Sequence, residues 1–375
     1  MRVKSWFVLL AVTALAVAAA LWLVAARDER LAERVYGEPL YPGLAARVND
    51  IAELGFDTGL DQWTIRRDDA GVWRMAERGG YPADPDRVKQ AAVALGKAAV
   101  VAPKTADPAK HTRLSLVGPD PEVESADDVK TVAMTARTAE GETLAALILG
   151  KTKQLPTSSE PGQVYVRREG EDRTWLVESR FDIRKDPTAW LDKTLLKIER
   201  ARIREVVVEH PGGETLRLKR NPYGDLRPVD MPEGRVTEDI RLTAAQRSLE
   251  FLPFADVRPA DEVDMSGAVE TTYRADNGMV VTVRTKEAGF ETDGDPAYWV
   301  TFDIRHDPDS VSTEADMPEL TGPDEEKPVI DPEEGAERAQ TAMERAEGWA
   351  YLFAEFTAQN FIHRMETVTS PKEES

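Results

Sequence analysis

Residues 129–149 read VKTVAMTARTAEGETLAALIL. Two runs rich in apolar and β-branched residues, Val129–Thr138 and Thr143–Leu149, flank Glu140-Gly141, a pair suited to a tight turn. The stretch predicts a β-hairpin, and with it an antiparallel sheet. A second stretch, residues 270–285, reads ETTYRADNGMVVTVRT and repeats the pattern around Asp276-Asn277-Gly278. Upstream of the first hairpin, strands are expected at Ile51–Phe56, Gln62–Arg67 and Val72–Met75, with Asp69-Ala70-Gly71 as a turn. A helix follows: Asp84 caps it, Pro85 fits its first turn, and Val88, Ala92, Leu95 and Ala99 share a face. Downstream come strands Val164–Arg168 and Thr174–Glu178, then a helix over Thr188–Leu196.

The same order recurs in the second half. Strands are expected at Ile203–Glu209 and Thr215–Lys219, a turn and strand at Tyr223–Arg227, and a helix capped by Thr237 that carries Ala245, Leu249 and Leu252. The second hairpin, a strand at Tyr298–Ile304, a strand at Trp349–Phe353 and a helix over Thr357–Met365 complete it. The fold class is therefore α+β: two related modules of mainly antiparallel sheet with packed helices, residues 41–196 and 197–365. A chance match of short alternating runs is the competing reading. Residues 307–338, rich in Asp, Glu and Pro, read as an acidic insertion forming a surface loop, and Glu333–Glu347 as a polar helix. Residues 366–375 read as a disordered tail.

The N-terminus has a different character. Trp6 to Ala26, WFVLLAVTALAVAAALWLVAA, contains no charge. As a helix rising about 1.5 Å per residue it reaches roughly 31 Å, the thickness of a bilayer's hydrocarbon core. Trp6 and Trp22 lie near the two ends, where indoles favour the headgroup level. A transmembrane signal-anchor is expected at 6–26, with a cytoplasmic tail at 1–5 and a charged linker at 27–40. Val24-Ala25-Ala26 leaves a cleaved signal peptide open as an alternative. The expected location is the inner membrane, single-pass, with the bulk of the chain in the periplasm.

The 375 residues carry 48 basic and 68 acidic side chains, a net charge of -20, and no cysteine. Such a surface repels phosphate backbones, so nucleic acid is not an expected partner. Without cysteine there are no disulfides, thiolate metal sites or cysteine nucleophiles. Gly150-Lys151-Thr152 looks like the end of a phosphate-binding loop, but Ala145 stands where the leading glycine is needed. His111, His210, His306 and His363 lie far apart, with none at metal-ligand spacing. Asp303, Asp307 and Asp309, and the turn Asp293-Gly294-Asp295, supply oxygens without the twelve-residue calcium loop. Trp63, Trp73, Trp175, Trp190, Trp299 and Trp349 fall in or beside expected elements and read as core. No catalytic, cofactor-binding or metal residue emerges, no cofactor is implied, and the chain reads as a non-enzyme. An acid-based hydrolase of envelope glycans is the enzymatic alternative.

An ordered series of short motifs points to a family. Tyr41-Pro42-Gly43-Leu44, Gly71-Val72-Trp73, Tyr81-Pro82-Ala83-Asp84, Leu114-Ser115-Leu116, Leu149-Gly150, Val164-Tyr165-Val166-Arg167, Trp190-Leu191-Asp192 and Trp349-Ala350-Tyr351 follow the N-terminal apolar run. The whole resembles the bacterial domain of unknown function 4340, over roughly residues 6–365. Ser115 departs from it, standing where a glycine is expected in a Leu-Gly-Leu turn. The resemblance implies a membrane-anchored protein of the ABC-exporter and gliding-auxiliary neighbourhood. It thus implies an accessory or scaffold subunit of an ABC-type transport complex, with a permease or auxiliary membrane protein as partner. The alternative is a periplasmic module that binds a solute, peptide or glycan in a groove between the two modules.

Overall fold

In the computed structural model the 129–149 stretch forms a hairpin, β6 (Val132–Arg137) and β7 (Thr143–Gln154). Met134 pairs with Leu147 and Ala136 with Ala145. Gly141, at φ 87°, closes the turn, and the Thr138 amide donates to the carbonyl of Glu142. Alternation along β6 buries Val132, Met134 and Ala136, as a strand with one covered face requires. The structure describes residues 13–17, 19, 35–119, 131–157, 160–290, 295–313 and 330–372. The chain is mixed α+β and divides into two compact units at 191/192, just before the boundary expected from sequence.

The first unit carries a nine-stranded sheet in the order β4-β3-β2-β1-β6-β7-β8-β9-β5. Its remaining strands are β1 (Glu53–Asp57), β2 (Gln62–Arg67), β3 (Trp73–Met75), β4 (Tyr81–Pro82), β5 (Ala99–Pro103), β8 (Gly162–Arg168) and β9 (Thr174–Ser179). Helix α1 (Pro85–Gly96) begins as the sequence predicts: Asp84 accepts from the amides of Asp86 and Arg87, and Pro85 fills the first turn. Val88, Ala92 and Leu95 are buried. Ala99, expected on the same face, instead opens β5, which pairs with β9 at the edge.

Two expectations change here, and a third point is explained. Residues 37–40, read as linker, run along β5: Gly37 donates to Val100, Val100 to Glu38, and Leu40 to Ala98. Leu40 is fully buried, so the unit's core begins inside the supposed linker. Thr188–Leu196 is not a helix. Pro187–Trp190 makes a single 3-10 turn capped by Asp186, after which Leu191 bridges to Ala83. Ser115 sits at φ 55°, alone among the described non-glycine residues in the left-handed region. Its backbone takes the conformation for which a glycine is suited.

The second unit holds an eight-stranded sheet, β12-β11-β10-β15-β16-β17-β18-β14. Its strands are β10 (Ile203–Glu209), β11 (Thr215–Arg220), β12 (Leu226–Pro228), β14 (Asp256–Pro259), β15 (Val269–Ala275), β16 (Met279–Phe290), β17 (Pro296–His306) and β18 (Trp349–Ala354). In each unit one meander runs outward from β1 or β10 and a second runs from β6 or β15. The strand after the helix, β5 or β14, takes the far edge. Helix α2 (Asp239–Arg247) occupies the same place in the order as α1. Glu238, not Thr237, is its N-cap residue, and Leu249 and Leu252 are buried beyond its end. The Thr357–Met365 helix is broken into two short turns, Glu355–Ala358 and Gln359–Phe361.

The expected insertion is partly ordered structure. Pro308–Ser310 forms a 3-10 turn, residues 314–329 lie outside the described set, and helix α3 starts at Pro332 and runs to Ala346. This polar-looking helix packs on β17 and β16 through Gly335, Ala339, Ala342 and Ala346, a face of small residues. The described part of the tail read as disordered, residues 366–372, instead holds the end of a turn, Met365–Val368, and a strand, β19 (Thr369–Pro371); residues 373–375 lie outside the described set. That strand pairs with β13 (Arg235–Thr237) in a two-stranded ribbon. Most of the Trp6–Ala26 run lies outside the described residues. Residues 13–17 and 19 are helical, and among the described residues no helix is long and apolar enough to cross a membrane.

Candidate functional site

An open groove of about 670 Å³ lies within the second unit. Residues 193–197 form one wall, residues 250–254 a second, and the Glu337–Arg345 face of α3 the third. Its floor is carbon: Leu195, Leu252, Phe254 and Met279 are buried and face it. Neither loop is helix or strand. Each is fixed by a few contacts: the Ile198 amide donates to Leu249, and Lys193 Nζ donates to the carbonyl of Phe254 at 2.9 Å while lying 4.1 Å from that ring's centre. The rim holds Lys193, Lys197, Arg338 and Arg345 against Glu250 and Glu337. Arg338 is engaged, by Glu334 at 3.3 Å and the Lys197 carbonyl at 2.7 Å. Phe251 beside the mouth is 76% exposed.

The Asp276-Asn277-Gly278 turn is a second unusual place. Turns ordinarily face water, yet Asp276 and Asn277 are buried. Arg202 and Arg220 lie 3.4 and 4.0 Å from the Asp276 carboxylate. Burial pushes that carboxyl above its ordinary range, opposed by the two arginines. Gly335 of α3 sits so close that a Cβ there would lie 2.3 Å from the Asn277 carbonyl. The cluster ties the turn before β10 (Arg200–Arg202), β11, the hairpin and α3 together. It has the character of a buried ionic strut.

The histidines are not all isolated. His210 and His363, 153 residues apart, are both buried, with His210 Nε2 3.1 Å from the His363 carbonyl. Burial, helped by the charge of Arg241, pushes His363 down to about 4. The folded chain thus holds it neutral, whereas the unfolded chain takes up its proton near pH 6.5. Between those values the unfolded state binds more protons. This contribution is complete above pH 6.5 and is lost as pH falls toward 4, by up to about 3 kcal/mol. Denaturation midpoints at pH 7.5 and 5 are expected to show the loss, and His363→Gln to flatten it. His111 and His306 each meet a backbone carbonyl, of Asp172 and Asn277.

Other sequence features resolve simply. Gly150-Lys151-Thr152 lies within β7, and a Cβ at Gly150 would meet the Leu114 carbonyl at 2.2 Å. That glycine serves a close backbone approach, and the segment forms no phosphate-cradling loop. Among the described residues no group of three His, Asp or Glu is arranged to hold a metal; Asp293-Gly294 lies outside them. Trp63 and Trp190 fill the first core around Phe56. Trp73, Trp175, Trp299 and Trp349, expected inside, are only half-buried, the first three under Arg67, Arg168 and Arg258 respectively. In this arrangement a guanidinium covers the ring's outer face. The Tyr41-Pro42-Gly43-Leu44 motif is a brace. Tyr41 donates to the Ala146 carbonyl, Arg168 stacks on its ring, and Leu44 is buried.

Sequence reasoning missed the groove, because its walls come from segments with no shared motif. The exposure of Phe251 emerges only in the folded unit. No curated protein matches the chain, and no solved structure matches it. A family match covers residues 73–270, more than half of the chain, from β3 of the first sheet to β15 of the second. On that match the chain belongs to the family described as Domain of unknown function (DUF4340).

Proposed function

We propose that this chain is a non-enzymatic accessory or scaffold subunit of an ABC-type transport complex. It is held in the inner membrane by residues 6–26, with its bulk in the periplasm. The observation that carries this reading is the uncharged Trp6–Ala26 run together with the strap at 37–40. Only residues 27–36 separate the two, a span of at most about 35 Å when fully extended. A unit tethered so closely meets membrane partners at high effective concentration. The shared strand order of the two sheets supports reading the units as related modules from a duplication. The test is affinity capture from mild detergent, with a chain lacking residues 1–26 for comparison. Recovery of an ABC-type permease with the full chain is expected. Recovery with both chains would move the contact to the soluble units, and recovery with neither would defeat the proposal.

A second reading, a periplasmic binding module, is favoured by one observation. The groove of about 670 Å³ in the second unit has the size and carbon lining of a small-molecule site, typically about 300–1,000 Å³.

A further inference from the structure

We propose that this groove binds a single-chain anionic amphiphile, a long-chain acyl carboxylate, with its chain on the apolar floor and its head at the basic rim. The inference deepens the binding-module reading and does not depend on the transport-accessory one.

Three observations carry it. The first is the floor. Leu195, Leu252, Phe254 and Met279 present carbon, and such a surface gains from covering an alkyl chain in proportion to the area removed from water. The second is charge. The chain as a whole is acidic, with a net charge of -20, yet this rim carries four cations and two carboxylates. Lys193 and Arg338 are engaged by neighbouring carbonyls. Lys197 and Arg345 make no ion pair with any described residue at 4.0 Å or less, and they stand on different walls. They are the groups placed to meet an anionic head. The third is the nature of the walls. Apart from Met279, no lining residue belongs to a strand, so an extended peptide finds no sheet edge to lengthen there.

The experiment uses the full chain in phosphatidylcholine nanodiscs and a palmitate bearing a photoreactive diazirine on its chain. A probe with the same chain and a trimethylammonium head serves as comparison. After irradiation, labelled peptides are mapped by mass spectrometry. The carboxylate probe is expected to label peptides containing residues 193–197, 250–254 or 337–345, and excess palmitate is expected to compete. The cationic probe should label these peptides at least about fivefold less. The double substitution Lys197→Glu, Arg345→Glu, at two exposed positions, should lower carboxylate labelling by about the same factor, as loss of two exposed ion pairs implies. An unchanged thermal transition would show that the variant is folded. Labelling confined to residues 6–26, equal labelling of the groove by both probes, or labelling unmoved by the double substitution would each overturn the proposal. None of these outcomes depends on capturing a permease, so the two proposals fail separately.

Discussion

Asp276→Ala is expected to destabilise the second unit by about 3–5 kcal/mol, the cost of removing one partner from a buried ionic cluster. Asp276 is 0% exposed, and the Arg220 side chain beside it only 4%. Alanine would leave the buried Arg220 guanidinium without its carboxylate, while Arg202 would keep the more distant Glu199 and Glu334, at 4.0 and 3.9 Å. The backbone hydrogen bonds of the turn, from Asp276 to Arg202 and from Ser312 to Asp276, would persist, so the effect reads the carboxylate and the contacts it makes with Arg202, Arg220 and the Asn277 amide. Hydrogen exchange on peptides from residues 203–220 and 332–346 would read it as a fall in protection. Simultaneous replacement of Arg202, Asp276 and Arg220 by apolar residues of similar volume should recover most of the loss. If Asp276→Ala left protection unchanged, the strut would have no energetic role.

The second large effect is expected at Trp190. Its side chain is fully buried, its ring centre lies 4.5 Å from that of Phe56, and its indole N–H donates to the Arg184 carbonyl at 2.9 Å. Its own carbonyl accepts from the Asp84 amide, so the residue fastens the start of α1 to the turn that closes the first unit. Trp190→Ala removes a large apolar surface and leaves a cavity, at a cost of about 3–5 kcal/mol. Hydrogen exchange should show lost protection in α1, β1 and β2 and little change in residues 203–220. Trp190→Phe, which keeps the ring contact and loses the hydrogen bond, should cost markedly less. Equal losses for the two variants would show that the hydrogen bond, not packing, dominates.

How far the sequence could be read follows from where the information lay. The two hairpins were legible because alternation and turn chemistry are local, and α1 because its cap and buried face lie within a dozen residues. The short edge strands were not. Ala99–Pro103 fits a helical face equally well, and only its partner β9 makes it a strand. Residues 37–40 and 369–371 carry no alternation of note; their partners β5 and β13 lie far along the chain. Thr188–Leu196 and Thr357–Met365 have helical apolar spacing, but single anchors, Trp190 and Phe361, are drawn into the cores and break the run. Helix α3 looked wholly polar because its packing face is made of Gly and Ala. The groove was hidden for the same reason as the edge strands: its three walls converge only in the folded unit. Asp276 was disguised more thoroughly, since Asp-Asn-Gly is fully explained as a turn, and nothing local reveals the two arginines.

The strap along β5 also has a mechanical meaning. Any tension applied through the N-terminal segment enters the folded unit at residue 37. There it meets three backbone hydrogen bonds, two with Val100 of β5 and one with Ala98 just before it, and, just behind them, the buried Leu40 and the Tyr41 brace. The bonds lie side by side along an antiparallel pair. A pull directed along the strap therefore strains them together, whereas a pull away from the sheet opens them one at a time. The same short segment would hold firm under one direction of force and peel under the other, which makes it the place where movement at the N-terminus would first be felt by the sheet.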